Sequence, residues 1–317
     1  MEKAKILVMG IIPEAGLTEL EDNFEIIYAP EKEPRAWVLE HLKEFDGLLV
    51  MGTKADKELI DAGPNLKIIT TNGVGFDHVD IEYAKSKGIV VSNCPTAVRV
   101  PTAEMTLALL LATTRRLGFY DKTIRAGEFL DVSKPEYMGM SLQGKTLGVF
   151  GFGRIGSEVA KFCQVLGMNV IYNQRKPLDK KLEKELNVKF VDFDTLVKEA
   201  DVITVHAPAT PATNGVFSKK VFKEMKKTAY LINAARGVLI NEADLITALK
   251  DHEIAGAGLD VFEKEPQVSD GLRQLDNVIM TPHAGTGTLE ARTNIAKEAA
   301  HNLVSYLRDG QAVNQVN

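Results

Sequence analysis

Glycines at 151, 153 and 156 are the spacing in this chain best suited to holding a nucleotide. The stretch reads Gly151-Phe152-Gly153-Arg154-Ile155-Gly156, after a β-branched run at 146–150 and before a helical pattern at 157–166. The first glycine permits a tight turn, the second lets backbone approach a pyrophosphate, and the third allows close helix–strand packing. The helix start then presents unpaired N–H groups and a positive dipole end to the phosphates. A second apolar run at 170–172 leads into Asn173-Gln174-Arg175-Lys176. An acid at the place of Asn173 would hold a ribose 2′-OH and repel a 2′-phosphate. Asn173 carries no charge, and Arg175 can pair with a 2′-phosphate bidentately, with Lys176 beside it. The residues favour NADP, with NAD as the other candidate.

Four further segments carry polar or charged residues just after expected strands, where α/β proteins place their sites. They are Val205-His206-Ala207-Pro208, Asn233-Ala234-Ala235-Arg236-Gly237, Gly258-Leu259-Asp260-Val261-Phe262-Glu263-Lys264-Glu265-Pro266 and Thr281-Pro282-His283-Ala284-Gly285. Strands are expected at 6–9, 25–28, 47–51, 66–71 and 89–92, then at 146–150, 170–172, 189–191, 202–206, 229–233, 257–261 and 278–281. Helical patterns alternate with them, which predicts two doubly wound parallel sheets. Between the two sets, Met105, Ala108, Leu109 and Ala112 follow helical spacing, and residues 101–127 read as one long connecting helix opened by Pro101. Residues 128–144 have no periodicity and read as a loop, whereas 289–307 are helical and are expected to pack back on the first domain. The expected domains are residues 1–100 with 286–317, and residues 101–285.

A chain of 317 residues suits two domains. Its net charge of −5 gives no broad cationic footprint for nucleic acid or anionic lipid. Cys94 and Cys163 form no metal-ligand spacing and read as reduced thiols. The apolar run at 6–9 is too short for a secretion signal, and no apolar block approaches the roughly 20 residues of a membrane span. A cytoplasmic protein is expected, with no metal.

In order and wording, these motifs resemble the D-isomer-specific 2-hydroxyacid dehydrogenase family over nearly the whole chain. Gly73-Val74-Gly75-Phe76-Asp77 likewise resembles that family's substrate loop. The resemblance implies a Rossmann cofactor domain inserted in a flavodoxin-like substrate domain, and a homodimer. It implies a catalytic trio of Arg236, Glu265 and His283. His283 would donate the proton to the carbonyl oxygen, Glu265 would favour its imidazolium form, and Arg236 would grip the substrate carboxylate. Val74 and Gly75 would meet that carboxylate through backbone N–H groups. Asp260 would lie near the nicotinamide, with Ala207, Pro208, Thr213 and Ala234 along the cofactor. His206, Asp77 and His78 are assigned structural roles, and residues 107–111 core or dimer contacts.

Family members act on different acids. Formate dehydrogenases typically carry Gln at the position of Glu265, and phosphoglycerate enzymes tend to carry Arg-Ser in the loop where this chain reads Met51-Gly52-Thr53-Lys54. An appended C-terminal domain, usual in regulated phosphoglycerate enzymes, is not expected either. Met51 would face the substrate side chain, with Tyr137, Met138 and Met140 as neighbours, an adaptable apolar lining. The resemblance favours a glyoxylate/hydroxypyruvate reductase. A broad reductase of larger apolar 2-keto acids is the alternative. A nucleotide-sensing corepressor-like role would call for a disordered or peptide-docking segment, and none is evident.

Overall fold

The computed structural model describes residues 3–31 and 34–317, so Met1 and Glu2 at the start of the expected first domain lie outside the described residues. Two compact units form, one from residues up to Pro101 together with Thr286–Asn317, the other from Thr102–Gly285.

The first unit is built on five parallel strands: β1 (Lys5–Met9), β2 (Glu25–Tyr28), β3 (Gly47–Val50), β4 (Ile68–Thr71) and β5 (Val90–Ser92). Their order, β2-β1-β3-β4-β5, is that of flavodoxin-like folds. β3 and β4 are buried along their whole length, as expected of strands covered on both faces. The polar pair this brings inside satisfies itself, Thr70 Oγ1 lying 2.8 Å from Ser92 Oγ. The C-terminal helix Leu289–Asp309 belongs to this unit and packs on helix Thr18–Asn23, β3 and β4. Its approach is close enough that a Cβ on Gly16 would stand 2.3 Å from the Ala296 Cβ.

The second unit has seven parallel strands: β6 (Thr146–Phe150), β7 (Asn169–Asn173), β8 (Val188–Phe190), β9 (Val202–Val205), β10 (Tyr230–Asn233), β11 (Gly256–Leu259) and β12 (Val278–Met280). The order β12-β11-β10-β9-β6-β7-β8 is the Rossmann order with one strand added beyond the sixth. Apolar clusters cover both faces, one centred on Ile203, Leu231 and Phe217, the other on Val149, Tyr172 and Ile232. The chain order reverses between β6 and β9, which opens the crevice where such sheets bind ligands.

Several strands stop short of the expected ends. Met51, His206, Val261 and Thr281 lie past the sheet edge, in the loops that carry the candidate site. Residues 101–127 do not form one helix. The structure has Arg99–Thr114 and Leu117–Arg125, broken where Arg116 takes a left-handed φ of 55°. The buried face of the first helix is also not the expected one. Of Met105, Ala108, Leu109 and Ala112 only Leu109 is buried, together with Thr102, Ala103, Thr106, Leu110, Thr113 and Thr114. Three of these threonines satisfy their hydroxyls on the carbonyl four residues back, at 2.7–2.8 Å, so they enter the core without orphaned donors. A helix apolar nearly all round does not announce its inner face by periodicity.

Candidate active site

The glycine motif turns out of β6 at the switch point. Gly151 has φ 96°, and a Cβ there would lie 2.5 Å from the Ala207 nitrogen and 2.6 Å from the His206 carbonyl carbon. The turns after β6 and β9 therefore touch backbone to backbone, and Ala207 is buried behind this contact while Pro208 is exposed. Gly156 is needed for packing as well, since its Cβ would meet the Gly151 oxygen at 2.4 Å. Gly153 differs: nothing lies within 4 Å of its missing Cβ. It caps the helix Arg154–Val165 without a side-chain hydrogen bond, leaving open space at the helix start where Arg154 is exposed and Ile155 half-buried. The protein does not need a glycine there for its own packing. A phosphate group fits that space.

At the end of β7, Asn173 donates its Nδ2 to the Val191 oxygen at 2.8 Å, which fixes the side chain. No carboxylate stands in its place, and Arg175 and Lys176 beyond it are exposed. Neither makes an ion pair among the described residues. Thr213 spends its hydroxyl on its own loop, donating to the Pro208 oxygen at 2.7 Å and accepting from the Thr210 nitrogen.

Three loops of the second unit carry the expected trio. His283 Nδ1 lies 2.8 Å from Glu265 Oε2. The other carboxylate oxygen, Oε1, accepts the Phe262 N–H at 3.0 Å, so Glu265 is held from both ends. His283 Nε2 has no hydrogen-bond partner among the described residues, and half of the side chain is exposed. The residue takes a left-handed φ of 52°, a costly conformation for a side chain with a Cβ. Its backbone N–H is pinned to the Asp260 oxygen at 2.8 Å.

Asp260 does more than the sequence indicates. It is 1% exposed, and its carboxylate accepts from Thr281 Oγ1, from the Ala284 nitrogen at 2.7 Å and from the Gly285 nitrogen at 2.8 Å. Its charge is spent on the loop that carries His283. The structure shows it holding that loop, a positioning role that the sequence does not announce.

Two positioning residues went unassigned in the sequence. Asn233, fully buried, donates to the Arg236 oxygen at 2.9 Å and accepts from the Ala235 nitrogen at 3.0 Å, folding the turn that presents Arg236. Ala234 is buried within that turn. Gly237 has its missing Cβ only 1.9 Å from the Phe262 carbonyl carbon, so the Arg236 turn lies directly on the loop leading to Glu265. The signal for both was the Asn-Ala-Ala-Arg-Gly string itself, whose flanking residues have structural work. Arg236 is half-buried and donates Nη1 to the Ala235 oxygen at 2.7 Å.

Met51, Val74 and Gly75 belong to the first unit. The carbonyls of the loop after β4 are tied down, Gly73 by the Cys94 nitrogen at 2.9 Å and Val74 by Asn93 Nδ2 at 2.8 Å. Among the described residues no acceptor takes the Val74 or Gly75 N–H. Such a turn suits a carboxylate. Met51 is not set among apolar side chains alone, since Asn72 and Arg292 both reach its sulfur. Met140 packs into the apolar core of the second unit, while Met138 is exposed and Tyr137 half-buried.

The family model described as the NAD-binding domain of D-isomer-specific 2-hydroxyacid dehydrogenases matches residues 107–285. This chain belongs to that family. A glyoxylate reductase from Thermococcus litoralis is 42% identical over 327 residues, covering 99% of this chain and 97% of that protein. Among solved structures, a glyoxylate reductase from Paecilomyes thermophila superposes with a TM-score of 0.92 at 32% identity, covering 100% of this chain and 99% of the other. An NADPH-dependent glyoxylate/hydroxypyruvate reductase from Sinorhizobium meliloti, in complex with NADP and malonate, gives 0.89 at 32% identity, covering 99% and 97%. The chain is thus a 2-hydroxyacid dehydrogenase of a family with an NAD-binding domain. No helix among the described residues is long and apolar enough to cross a membrane.

Both cysteines of this dehydrogenase are free and buried, and burial pushes Cys163 up to about 12 and Cys94 higher still. His206 Nε2 lies 2.8 Å from Thr204 Oγ1, and although the residue keeps some accessible area, loss of water around the ring pushes it down to about 3.

Two outcomes follow. Asp260→Asn should lower kcat about tenfold or more and remove about 1–3 kcal/mol of stability, because a donor then faces donors. Cofactor affinity should change little. A weakened cofactor Kd with kcat intact would show that Asp260 acts on the cofactor rather than by holding the His283 loop. His206 remains neutral in the folded chain but takes up a proton in the unfolded one below pH 6.5. Stability is therefore complete above pH 6.5 and falls as the pH drops towards the folded value near 3. His206→Gln should flatten this decline, read from urea midpoints between pH 6.5 and 4; an equal decline in both proteins would remove His206 as its source.

Proposed function

We propose that the enzyme reduces a small 2-keto acid of the glyoxylate/hydroxypyruvate kind to the D-2-hydroxy acid, with NADPH preferred. The observation that carries this is the His283–Glu265 pair at 2.8 Å, with Nε2 left open. A nicotinamide held at the glycine turn after β6 would supply the hydride that reduces the substrate's C2. His283 then delivers a proton from Nε2 to the carbonyl oxygen as negative charge develops there. Glu265 holds the ring through Nδ1, which leaves Nε2 as the atom open to the substrate. In the second unit Arg236 offers a carboxylate a planar fork. In the first unit the Val74 and Gly75 N–H groups, which have no acceptor among the described residues, are the proposed seat of the substrate carboxylate. Gly151, Gly153, Arg154, Ile155 and Gly156 take the pyrophosphate, and Ala207, Pro208 and Ala234 line the cofactor.

NADP preference rests on the uncharged Asn173 followed by the exposed Arg175 and Lys176. A named NADPH-dependent reductase among the similar structures agrees with it. A cytoplasmic location is proposed with it. A homodimer is supported by the apolar side chains left outside, including Leu117, Ile124 and Phe129, which is 93% exposed.

Purified enzyme should oxidise NADPH with glyoxylate or hydroxypyruvate at a kcat/KM at least tenfold above that with NADH. A strong NADH preference rejects the cofactor assignment. His283→Ala should cost about 100-fold or more in kcat while NADPH binding persists, and near-native turnover would remove His283 as donor. Sedimentation at micromolar concentration should give twice the chain mass of 34.8 kDa; a monomer there refutes the dimer.

A further inference from the structure

The carboxyl edge of the five-stranded sheet holds a cation and an amide that lack adequate partners. Asn72 directly follows β4 and is 5% exposed, yet its Oδ1 has no hydrogen-bond partner. Its Nδ2 reaches only the Met51 sulfur, at 3.7 Å. Arg292 comes from the helix Leu289–Asp309 and is half-buried. Among the described residues its guanidinium makes one hydrogen bond, from Nη1 to the same sulfur at 3.6 Å, and no ion pair. A thioether is a weak acceptor, whereas a guanidinium carries five donors and strongly prefers oxygen. Buried polar groups are ordinarily satisfied, so an orphaned amide oxygen beside an underused cation calls for an explanation.

Their location supplies one. Strand order reverses between β1 and β3, and Met51 follows β3 at that switch point, with the Gly10 turn against it, 3.1 Å from a Cβ placed on that glycine. Ligands of open parallel sheets bind at this kind of place. The free N–H groups of Val74 and Gly75 follow Asn72 on the same edge of the same unit.

We infer that Asn72 and Arg292, converging on Met51, form a subsite that reads the substituent at C3 of the 2-keto acid and selects a hydroxymethyl group. This rests on the proposed seating of the substrate carboxylate at Val74 and Gly75. A hydroxyl is both donor and acceptor. It gives its proton to Asn72 Oδ1 and takes a hydrogen bond from the Arg292 guanidinium, satisfying both groups at once. A methyl group supplies neither bond. A carboxylate would accept from Arg292 but would set an anion against the Asn72 oxygen and leave it unpaired. The subsite therefore favours hydroxypyruvate over pyruvate and over 2-keto acids with a second carboxylate.

The test measures kcat/KM with NADPH for hydroxypyruvate, pyruvate and glyoxylate in the native enzyme, Arg292→Met, Arg292→Lys and Asn72→Ala. The native enzyme should prefer hydroxypyruvate to pyruvate by about tenfold or more. In Arg292→Met and Asn72→Ala the hydroxypyruvate-to-glyoxylate ratio should fall about tenfold, through KM more than kcat. Arg292→Lys should recover part of it, which a merely misfolded protein would not do. An equal loss for all three substrates, or no native preference for hydroxypyruvate, overturns the subsite. Calorimetric binding of D-glycerate and D-lactate to the NADP-loaded enzyme reads the same hydroxyl without turnover. Tighter D-glycerate binding that disappears in Arg292→Met supports the subsite even if no keto acid is reduced, a result that would instead sink the reductase reading. Equal affinity for the two acids overturns the subsite whatever the rates.

Discussion

A single buried carboxylate holds the reactive loop of the second unit in shape. Asp260 collects a hydroxyl and two backbone N–H groups, and its own carbonyl takes the His283 N–H. An anion so far from water would cost several kcal/mol if those donors were missing. Their presence turns that cost into a constraint: residues 281–285 must wrap around the carboxylate, and His283 must accept a left-handed backbone. Strain of this kind persists only where the surroundings over-determine it. The imidazole is therefore placed before any substrate arrives, which is the condition for electrostatic help at the moment of proton transfer.

The neighbouring loops are fixed by absence of side chain as much as by bonds. Gly237 lets the Arg236 turn rest on the backbone at Phe262 and Glu263, and Gly151 lets the turn after β6 rest on the one after β9. Each contact joins two loops from different strands, so the arginine, the acid and the nucleotide turn share one rigid sheet edge. Preorganisation here is a property of backbone packing first and of side-chain hydrogen bonds second.

Much of this was legible in the residues. Twelve short apolar runs mapped onto twelve strands because parallel strands buried on both faces are continuous hydrophobic runs. The glycine motif was legible because its meaning is local: strand, turn and helix lie within about twenty residues. The trio was different. Arg236, Glu265 and His283 are recognisable only as an ordered resemblance; the His283–Glu265 contact and the packing of the Arg236 turn on the loop before Glu265 depend on three loops that the sheet brings together. The grip of Asp260 on residues 281–285 was not legible, because those partners lie beyond any periodicity. Asn72 and Arg292 were silent for the same reason, being 220 positions apart in number. The break at Arg116 was hidden because nothing in the residue type requires a left-handed φ.

That break governs the aperiodic segment that follows. By turning the chain at Arg116, it brings the arginine to the Glu136 carbonyl, the Tyr120 hydroxyl to the Tyr137 carbonyl, and the Phe119 ring over Tyr137. Gly139 in turn lies with its missing Cβ 2.5 Å from the Thr114 oxygen. Glu128 is still tied to the second helix through the Thr123 oxygen at 3.0 Å, but among the described residues those at 129–134 make no hydrogen bond to this helix pair and are almost all exposed. Mutational drift should thus be uneven across one loop: additions and deletions accumulate in its outer half, while the stretch at 135–140 stays fixed in length, because a shift of one residue would uncouple it from the kink.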